Sequence, residues 1–409
     1  MNGAFLLRIF RRKSDCPQNI RSLGKTYGVV LFQEQVIEIA TAIAEFTPGE
    51  ADQLRRVMSH ARSGAEMDQI GQDFIRKALR CGVNEQVAET IFSYMRGYAS
   101  YGFCEAHAAA FAATAYKTAY LARHMPAEFF AAIINAQPMG YYPRHVLAAE
   151  ARRRGVHVLG VDVNQSAAQA KGGEGYIRLG FLQVLGMREE TARQIDLKRR
   201  CGGPFASLGD FCERVTDIDR LTAERLIRAG AFDFLQGNRK ALLWALPEAI
   251  AASRAARESG ELIAHVRCED DERSFSIEDF SPQERLSAEY QILGIGISGH
   301  WMAQYRDELT RAACLPIDQA LAGMDGSVVS VAGIIIRPHR PPTKSGRTVV
   351  FFSLEDETGM ADVTVFQDVY QRDGAVLFDP RRHMIGVRGV LQRRQGGAPQ
   401  IMARRVWSL

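Results

Sequence analysis

No two of the seven cysteines, Cys16, Cys81, Cys104, Cys201, Cys212, Cys268 and Cys314, form a Cys-x-x-Cys pair. That excludes a zinc knuckle, gives no reason to expect a disulfide framework, and fits a reducing cytoplasm. No apolar run is long enough for a membrane. The opening Ala4-Phe5-Leu6-Leu7 is cut short by Arg8, Arg11, Arg12 and Lys13, too early for a span or a signal peptide, and Lys117 and Arg123 interrupt the alanine-rich run further on. A phosphate-binding P-loop is missing as well: Gly24-Lys25-Thr26 ends like one, but the glycine needed five residues before Gly24 is Asn19. Asp217-Ile218-Asp219 superficially resembles a paired-carboxylate metal site. Thr222 reads as the cap of a following helix with Glu224 in its first turn, so the aspartates are expected to be turn residues, and no metal site is expected in this chain.

What is present is ordinary globular composition, 46% hydrophobic and 24% charged over 409 residues, enough for two to four domains. A net charge of +4 permits a polyanionic partner without demanding one, so the placement of basic clusters matters more than the total. Tyr27 to Phe32 reads as strand-like, and Gln33 to Phe46 as a helix with Val36, Ile39, Ala40 and Ile43 on one stripe, broken by Pro48-Gly49. A helix over Ala51 to Arg62 carries adjacent Arg55 and Arg56, either a solvated face or a planar clamp on phosphate oxygens. Helical pattern then runs from Met67 to Ala99, punctuated at Cys81-Gly82.

The stretch from Tyr101 to Tyr116 stands out. A glycine turn leads into an alanine-rich run that can form a helix packed closely on all sides, with a single imidazole, His107, near its start. His107 is either a satisfied core histidine or a functional one. A last helix of this block begins at Pro126, and Arg152-Arg153-Arg154 further on is a solvated helix end or a contact to a nucleic-acid backbone.

Downstream, Val184-Leu185-Gly186-Met187-Arg188 and Leu226-Ile227-Arg228-Ala229-Gly230, the latter followed by Asn238-Arg239-Lys240, repeat one theme of apolar segment, glycine turn and helix start. The two resemble tandem helix-hairpin-helix units, which hold DNA phosphates on backbone amides without reading sequence. The charged stretch from Ala251 to Ser281 reads as a linker. From Gly326 onward the pattern alternates with period two over Val328–Ile336, Val349–Leu354, Ala361–Phe366, Met384–Leu391 and Gln400–Val406, five strands that fit an OB-type barrel. Arg340, Lys344 and Arg347 occupy a long basic tip and Arg393 lies near another, either solubilising edge charge or a single-strand-binding surface. Few aromatics sit on these tips, so little base stacking is expected.

Tyr27-Gly28-Val29 with Phe32-Gln33-Glu34-Gln35, Leu54-Arg55-Arg56 with Met58, Tyr101-Gly102-Phe103 with His107-Ala108-Ala109, and Pro126-Ala127-Glu128-Phe129 form an ordered set. This set resembles the fingers of the bacterial C-family DNA polymerases, the class of the polymerase III alpha subunit and its error-prone relatives. The resemblance implies that Arg55, Arg56 and His107 hold the triphosphate of an incoming dNTP, a task suited to groups aimed at charge spreading over phosphate oxygens. The sequence departs from replicative members after Met58, where Ser59-His60-Ala61-Arg62 replaces a lysine cluster, and the segment around Asn135 to Val156 is more similar to the error-prone branch.

The resemblance implies a multidomain α+β chain: an unassigned leader over 1–24, a helical fingers-like domain over 25–165, tandem helix-hairpin-helix over 166–250, a charged linker over 251–282, a helical connector over 283–322, and a five-stranded OB barrel over 323–409. DNA contacts are expected from Gly186, Arg188, Gly230, Arg239, Lys240, Arg340, Lys344, Arg347 and Arg393. The family's chemistry needs Mg²⁺ held by palm carboxylates. The palm precedes the fingers in the family, so this chain is expected to bind no Mg²⁺ by itself and to be inactive alone. Implied partners are primer-template and single-stranded template DNA, dNTP, a palm-containing chain, and a sliding clamp or clamp-bridging protein. The alternative is a non-catalytic DNA-binding accessory protein built from the same modules.

Overall fold

The computed structural model describes residues 21–60, 64–98, 103–216, 218–235, 238–259, 277–343, 346–379, 383–393 and 397–409. Expectations on most of the leader, Ala61-Arg62, Tyr101-Gly102, Asp217 and Lys344 lie outside the described residues. The chain divides into two compact units, Met1–Tyr120 and Leu121–Leu409.

In the first unit, α1 (Arg21–Lys25), α2 (Gln33–Ala44), α3 (Pro48–His60), α4 (Gly64–Arg80) and α5 (Glu85–Tyr98) surround one core. The stripe expected on α2 is there: Val36, Ile39, Ala40 and Ile43 are buried with Leu54, Met58, Phe74, Ile91 and Met95. Burying each of the larger of these side chains is worth about 1.5–3 kcal/mol. Gly71 lets α4 approach Phe92, since a Cβ there would lie 2.5 Å from the ring. Two expectations fail locally. Tyr27 to Phe32 is not a strand, because Tyr27 turns the chain at φ 54 and only Phe32 makes a bridge, to Phe103. Pro48 does not end a helix but opens one: the proline lacks a backbone N–H that would be orphaned at a helix start anyway, and the Thr47 N–H donates to Glu50 at 2.9 Å.

The alanine-rich helix, α6 (Glu105–His124), has no buried residue. The expectation of close packing on all sides is therefore wrong. Nine alanines among 20 residues give it helical propensity without an apolar stripe, so it needs no tertiary face to persist.

The second unit begins with α7 (Pro126–Asn135) and α8 (Arg144–Arg153), which pack on a small sheet ordered β1 (His157–Leu159), β3 (Tyr176–Arg178), β2 (Lys171–Gly173). Sequence reading misses this sheet, whose three-residue strands are too short to show a period. There follow α9 (Glu189–Gly202), α10 (Leu208–Arg214), α11 (Arg220–Arg228), α12 (Arg239–Ser259) and α13 (Pro282–Leu293). One continuous core joins them, from Ala127 to Ile295. The stretch assigned to a linker is helical as far as Ser259, where the buried Ser253 hydroxyl donates to the Cys212 carbonyl at 2.9 Å and fastens α12 to α10.

Three short helices, α14 (Trp301–Gln304), α15 (Arg306–Arg311) and α16 (Ile317–Ala322), lead into the barrel. Its strands are β4 (Val328–His339), β5 (Val349–Glu355), β6 (Met360–Phe366), β7 (Met384–Gln392) and β8 (Gln400–Ser408), with α17 (Gln367–Asp373) between β6 and β7. Pairing in the order β4-β5-β6-β8-β7 closes the ring, with β6 and β8 parallel, as the period-two pattern and OB topology require. Gly386 admits the Trp407 ring, which a Cβ would meet at 2.1 Å.

Candidate nucleic-acid interface

The residues expected to hold nucleotide phosphates sit where the starts of α2 and α6 are stitched together. The Gln33 N–H donates to the Phe103 carbonyl at 2.9 Å, and the Glu105 N–H donates to both Glu34 carboxylate oxygens at 3.1 and 3.0 Å. Lys25 bridges to Glu105 at 2.9 Å. Burial pushes the Glu34 carboxyl up, but hydrogen bonds from the Glu105 and Glu34 backbone and from Cys104, with the nearby Arg55 charge, hold it below its ordinary value. Arg55 Nη1 then donates to Gln33 Oε1 at 3.3 Å, so a continuous run of contacts leads from Arg55 to the first turn of α6 and His107.

Arg55 and Arg56 both lean on Asp52, at 2.8 and 2.9 Å, and the Arg55 hydrogen bond leads the effects that hold this carboxyl below its usual range. The two forks differ in access, with side-chain exposures of 28% and 70%. An arriving anion competes with Asp52, but exposed ion pairs of this kind are worth only about 0–1 kcal/mol, so the competition is mild. His107 is exposed, its ring edge-on to Phe111 at 4.6 Å, and is not the core histidine of the alternative reading.

The two hairpins downstream have diverged. At the first, Gly186 has φ +75 and exposed Arg188 caps α9. Arg225, which sequence reading misses, crosses from α11 so closely that a Cβ on Gly186 would lie 2.3 Å from its Nη1, and that Nη1 donates to the Leu185 carbonyl at 2.8 Å. At the second hairpin Gly230 has φ +85, but the space over it is filled: a Cβ would meet Arg239 at 2.4 Å and the Asp233 carboxylate at 2.8 Å. Arg239 is 5% exposed and donates to both Asp233 oxygens, at 2.9 and 2.6 Å, and to the Arg228 carbonyl at 3.0 Å. Lys240 lies over the Phe280 ring at 4.9 Å and bridges to Glu284 at 3.4 Å. Arg239, a guanidinium withdrawn from water, is thus fully paired within the protein, and half-buried Lys240 makes internal contacts as well.

On the barrel, Arg340 is exposed, donating to the Tyr370 hydroxyl at 3.3 Å, and Arg347 is exposed at the same tip. Arg393 is exposed and its Nη2 donates to the carbonyls of Leu321 and, at 3.1 Å, Gly323 at the end of α16. The expected shortage of aromatics does not extend to the adjoining strand faces. Phe351 is 38% exposed and lies against His339 at 5.6 Å, and Arg337 sits over the ring of Tyr141 at 3.5 Å. In the run Arg152-Arg153-Arg154, half-buried Arg152 reaches the Gly296 carbonyl at 2.6 Å, Arg153 reaches buried Glu355 at 3.3 Å, and Arg154 stays on the solvated helix surface, paired with Glu150 at 2.8 Å.

Asp219 is a turn residue as expected, but it rather than Thr222 is the cap of α11, accepting from the Thr222 N–H at 2.9 Å and hydroxyl at 2.7 Å. Among the described residues, no three His, Cys, Asp or Glu side chains converge to hold a metal ion, and no helix is long and apolar enough to cross a membrane.

Comparison with known proteins matches three segments, which overlap the expected fingers, helix-hairpin-helix and barrel regions. The bacterial DNA polymerase III alpha subunit finger domain matches residues 11–82, the helix-hairpin-helix motif 155–242, and the OB-fold nucleic acid binding domain 329–409. The chain is similar to the error-prone DNA polymerase of Symbiobacterium thermophilum, 47% identical over 414 residues, covering 91% of this chain and 38% of that protein. The error-prone DNA polymerases of Anaeromyxobacter dehalogenans and Corynebacterium efficiens are each 36% identical over 86% and 93% of this chain. The chain spans 31% and 34% of those two proteins, about a third of the length of the relatives it matches.

Proposed function

The chain belongs to the bacterial C-family DNA polymerases, and from that premise we propose that it supplies the nucleotide- and DNA-holding modules of an error-prone DNA polymerase working in the cytoplasm. The observation that carries this reading is the pair Arg55–Arg56 on one carboxylate, joined by hydrogen bonds to the helix that presents His107. Two forks on α3 and an exposed imidazole on α6 suit a triphosphate, whose charge must be met by donors already in place. The hairpin at Gly186, with Arg188 and Arg225, offers backbone amides and positive charge to a primer-template phosphate. The barrel tip with Arg340 and Arg347 offers charge to a single-stranded template.

Mg²⁺ chemistry does not fit the described residues, which bring no ligand set together. The metal therefore enters no step assigned to this chain. Its carboxylate ligands, and contact with a clamp, are assigned to parts of the polymerase outside these 409 residues, which by themselves are proposed not to extend primers.

The test is a titration of the purified chain with a fluorescent primer-template at two salt concentrations, with and without dNTP and Mg²⁺. The reading expects salt-sensitive binding, affinity for dNTP that Arg55→Ala with Arg56→Ala reduces at least tenfold, and no extension. Salt-insensitive binding, or dNTP affinity indifferent to that double substitution, would sink it. Binding of DNA with no dNTP effect at all would favour a non-catalytic accessory protein.

A further inference from the structure

Tyr141 lies outside all three regions matched by known families, in the segment between α7 and α8. It is 69% exposed, and the Arg337 guanidinium carbon sits 3.5 Å from its ring centroid. Arg337 reaches that place through an unusual backbone. It has φ 51, the left-handed region that residues other than glycine seldom enter, at a register shift of β4 between Ile336 and His339. Bulges of this kind re-aim a side chain. The Tyr141 segment is itself braced by the Gln137 amide, which donates to the carbonyls of Met139 at 3.2 Å and Tyr142 at 3.4 Å. A tie serving only to hold helices to barrel would be expected to bury its ring. Here one face is covered by a cation and the rest is open to water.

The same arrangement recurs along β4. Exposed His339 lies against the Phe351 ring at 5.6 Å and 31°, and Arg340 stands over Tyr370 at 5.8 Å. Arg337 and His339 are two residues apart on β4, across the register shift at which Arg337 takes its left-handed conformation. Asp362, an exposed acid on β6, has its carboxylate engaged by the Ser353 hydroxyl of β5 at 2.8 Å.

We infer that Tyr141, fixed by Arg337, is the first rung of a stacking platform for consecutive unpaired DNA bases that continues onto the barrel at His339–Phe351. Every base has a π-face, so such a platform is indifferent to sequence, and the covering arginine leaves the outer face of Tyr141 for the base while contributing positive charge beside the strand. The inference rests on the reading that the barrel holds single-stranded DNA, and extends it to a residue of the helical body.

The test uses fluorescence anisotropy of the full chain with a labelled oligo-dT and with an abasic strand of equal length. Tyr141→Ala should weaken oligo-dT binding about five- to tenfold, the lower part of the range for aromatic stacking on an exposed ring. It should leave abasic binding and the salt slope unchanged, while Tyr141→Phe retains wild-type affinity. Tyr141→Leu, which keeps apolar bulk against Arg337 without a π-face, should reproduce the loss should the alanine variant fold poorly. Arg347→Ala should weaken both ligands and flatten the salt slope. Equal loss on both strands from Tyr141→Ala, or no loss on oligo-dT while Arg347→Ala weakens it, overturns the platform and leaves the barrel reading intact. Failure of the wild-type protein to bind oligo-dT overturns both.

Discussion

Arg239 offers the sharpest test of how this chain uses its cations. Replacing it with alanine removes both hydrogen bonds to Asp233 and the one to the Arg228 carbonyl, and leaves a void above Gly230. Removing one member of a buried ion pair costs about 3–5 kcal/mol. Two features set the size within that range. The Asp233 side chain is 49% exposed and can rehydrate, which lowers the cost. Glu289, 4.0 Å from Arg239, is held independently by the backbone N–H groups of Ile297 at 2.7 Å and Ser298 at 2.8 Å, so little is added there. The expected loss is therefore about 3 kcal/mol, the low end. Because this is a multi-unit chain, a single global unfolding energy is the wrong observable. Native-state hydrogen exchange followed by mass spectrometry on peptides spanning 226–246 reads the local opening directly. Amides there should exchange on the order of 100-fold faster in Arg239→Ala, with primer-template affinity changed only as far as the hairpin opens. Unchanged exchange accompanied by a clear loss of DNA affinity would refute the internal role and return Arg239 to the interface.

Three further outcomes are expected. Gly172→Ala drives a Cβ to within 2.2 Å of the Ala127 carbonyl oxygen at the start of α7, which cannot yield as a flexible side chain would; a loss of about 1–3 kcal/mol should appear in calorimetry of the second unit. Arg393→Ala removes the donor to the end of α16 and should lower barrel stability by about 1 kcal/mol, while oligo-dT affinity stays within twofold or so in the same anisotropy assay. His145 is held below its ordinary pKa of 6.5 by burial, with His300 and His383 adding to the depression, Glu355 opposing it, and the Tyr290 ring packed 6.1 Å away. A base depressed in the fold contributes fully above the unfolded value and loses that contribution as pH falls through the folded one. The melting temperature of the second unit should accordingly decline below pH 6.5, and less steeply in His145→Phe; an identical slope in the variant would exclude His145 as the source.

The sequence is legible wherever a period carries the information. Strand positions in the barrel alternate between core and solvent, so Val350, Phe352 and Leu354 announce β5, and Ala361, Val363 and Val365 announce β6. The stripe of α2 is equally plain. α6 misleads because alanine has no polarity to pattern, and the same string suits a buried helix and an exposed one. Pro48 misleads because proline stops a helix from the inside but suits its first turn, a distinction that depends on noticing Thr47 and Glu50 as a pair.

Basic residues pose the harder problem, since an arginine looks the same in sequence whether it meets a carboxylate or a phosphate. Arg153 finds Glu355 at a separation of 202 residues, and no local pattern indicates that pairing. Arg239 finds Asp233 only six residues away, where the acid just after the glycine turn competes for the same amides and cations that a phosphate would need. The first hairpin has an acid at the same offset, Glu189 three residues after Gly186, but it pairs with Arg193 inside α9, while Arg225 approaches the turn from outside. Two hairpins alike in their glycines thus differ in whether an anion is built in. The physical criterion is occupancy: a glycine turn is a phosphate site only while its positive ends remain unmatched by the chain's own carboxylates. Applied across the chain, it narrows the expected interface to Arg55, Arg56 and His107, to Gly186 with Arg188 and Arg225, and to the Arg337–Arg347 edge of the barrel. At Arg55 and Arg56, where Asp52 already sits between the forks, it makes phosphate binding an exchange of partners, so Asp52→Asn should strengthen dNTP binding rather than weaken it.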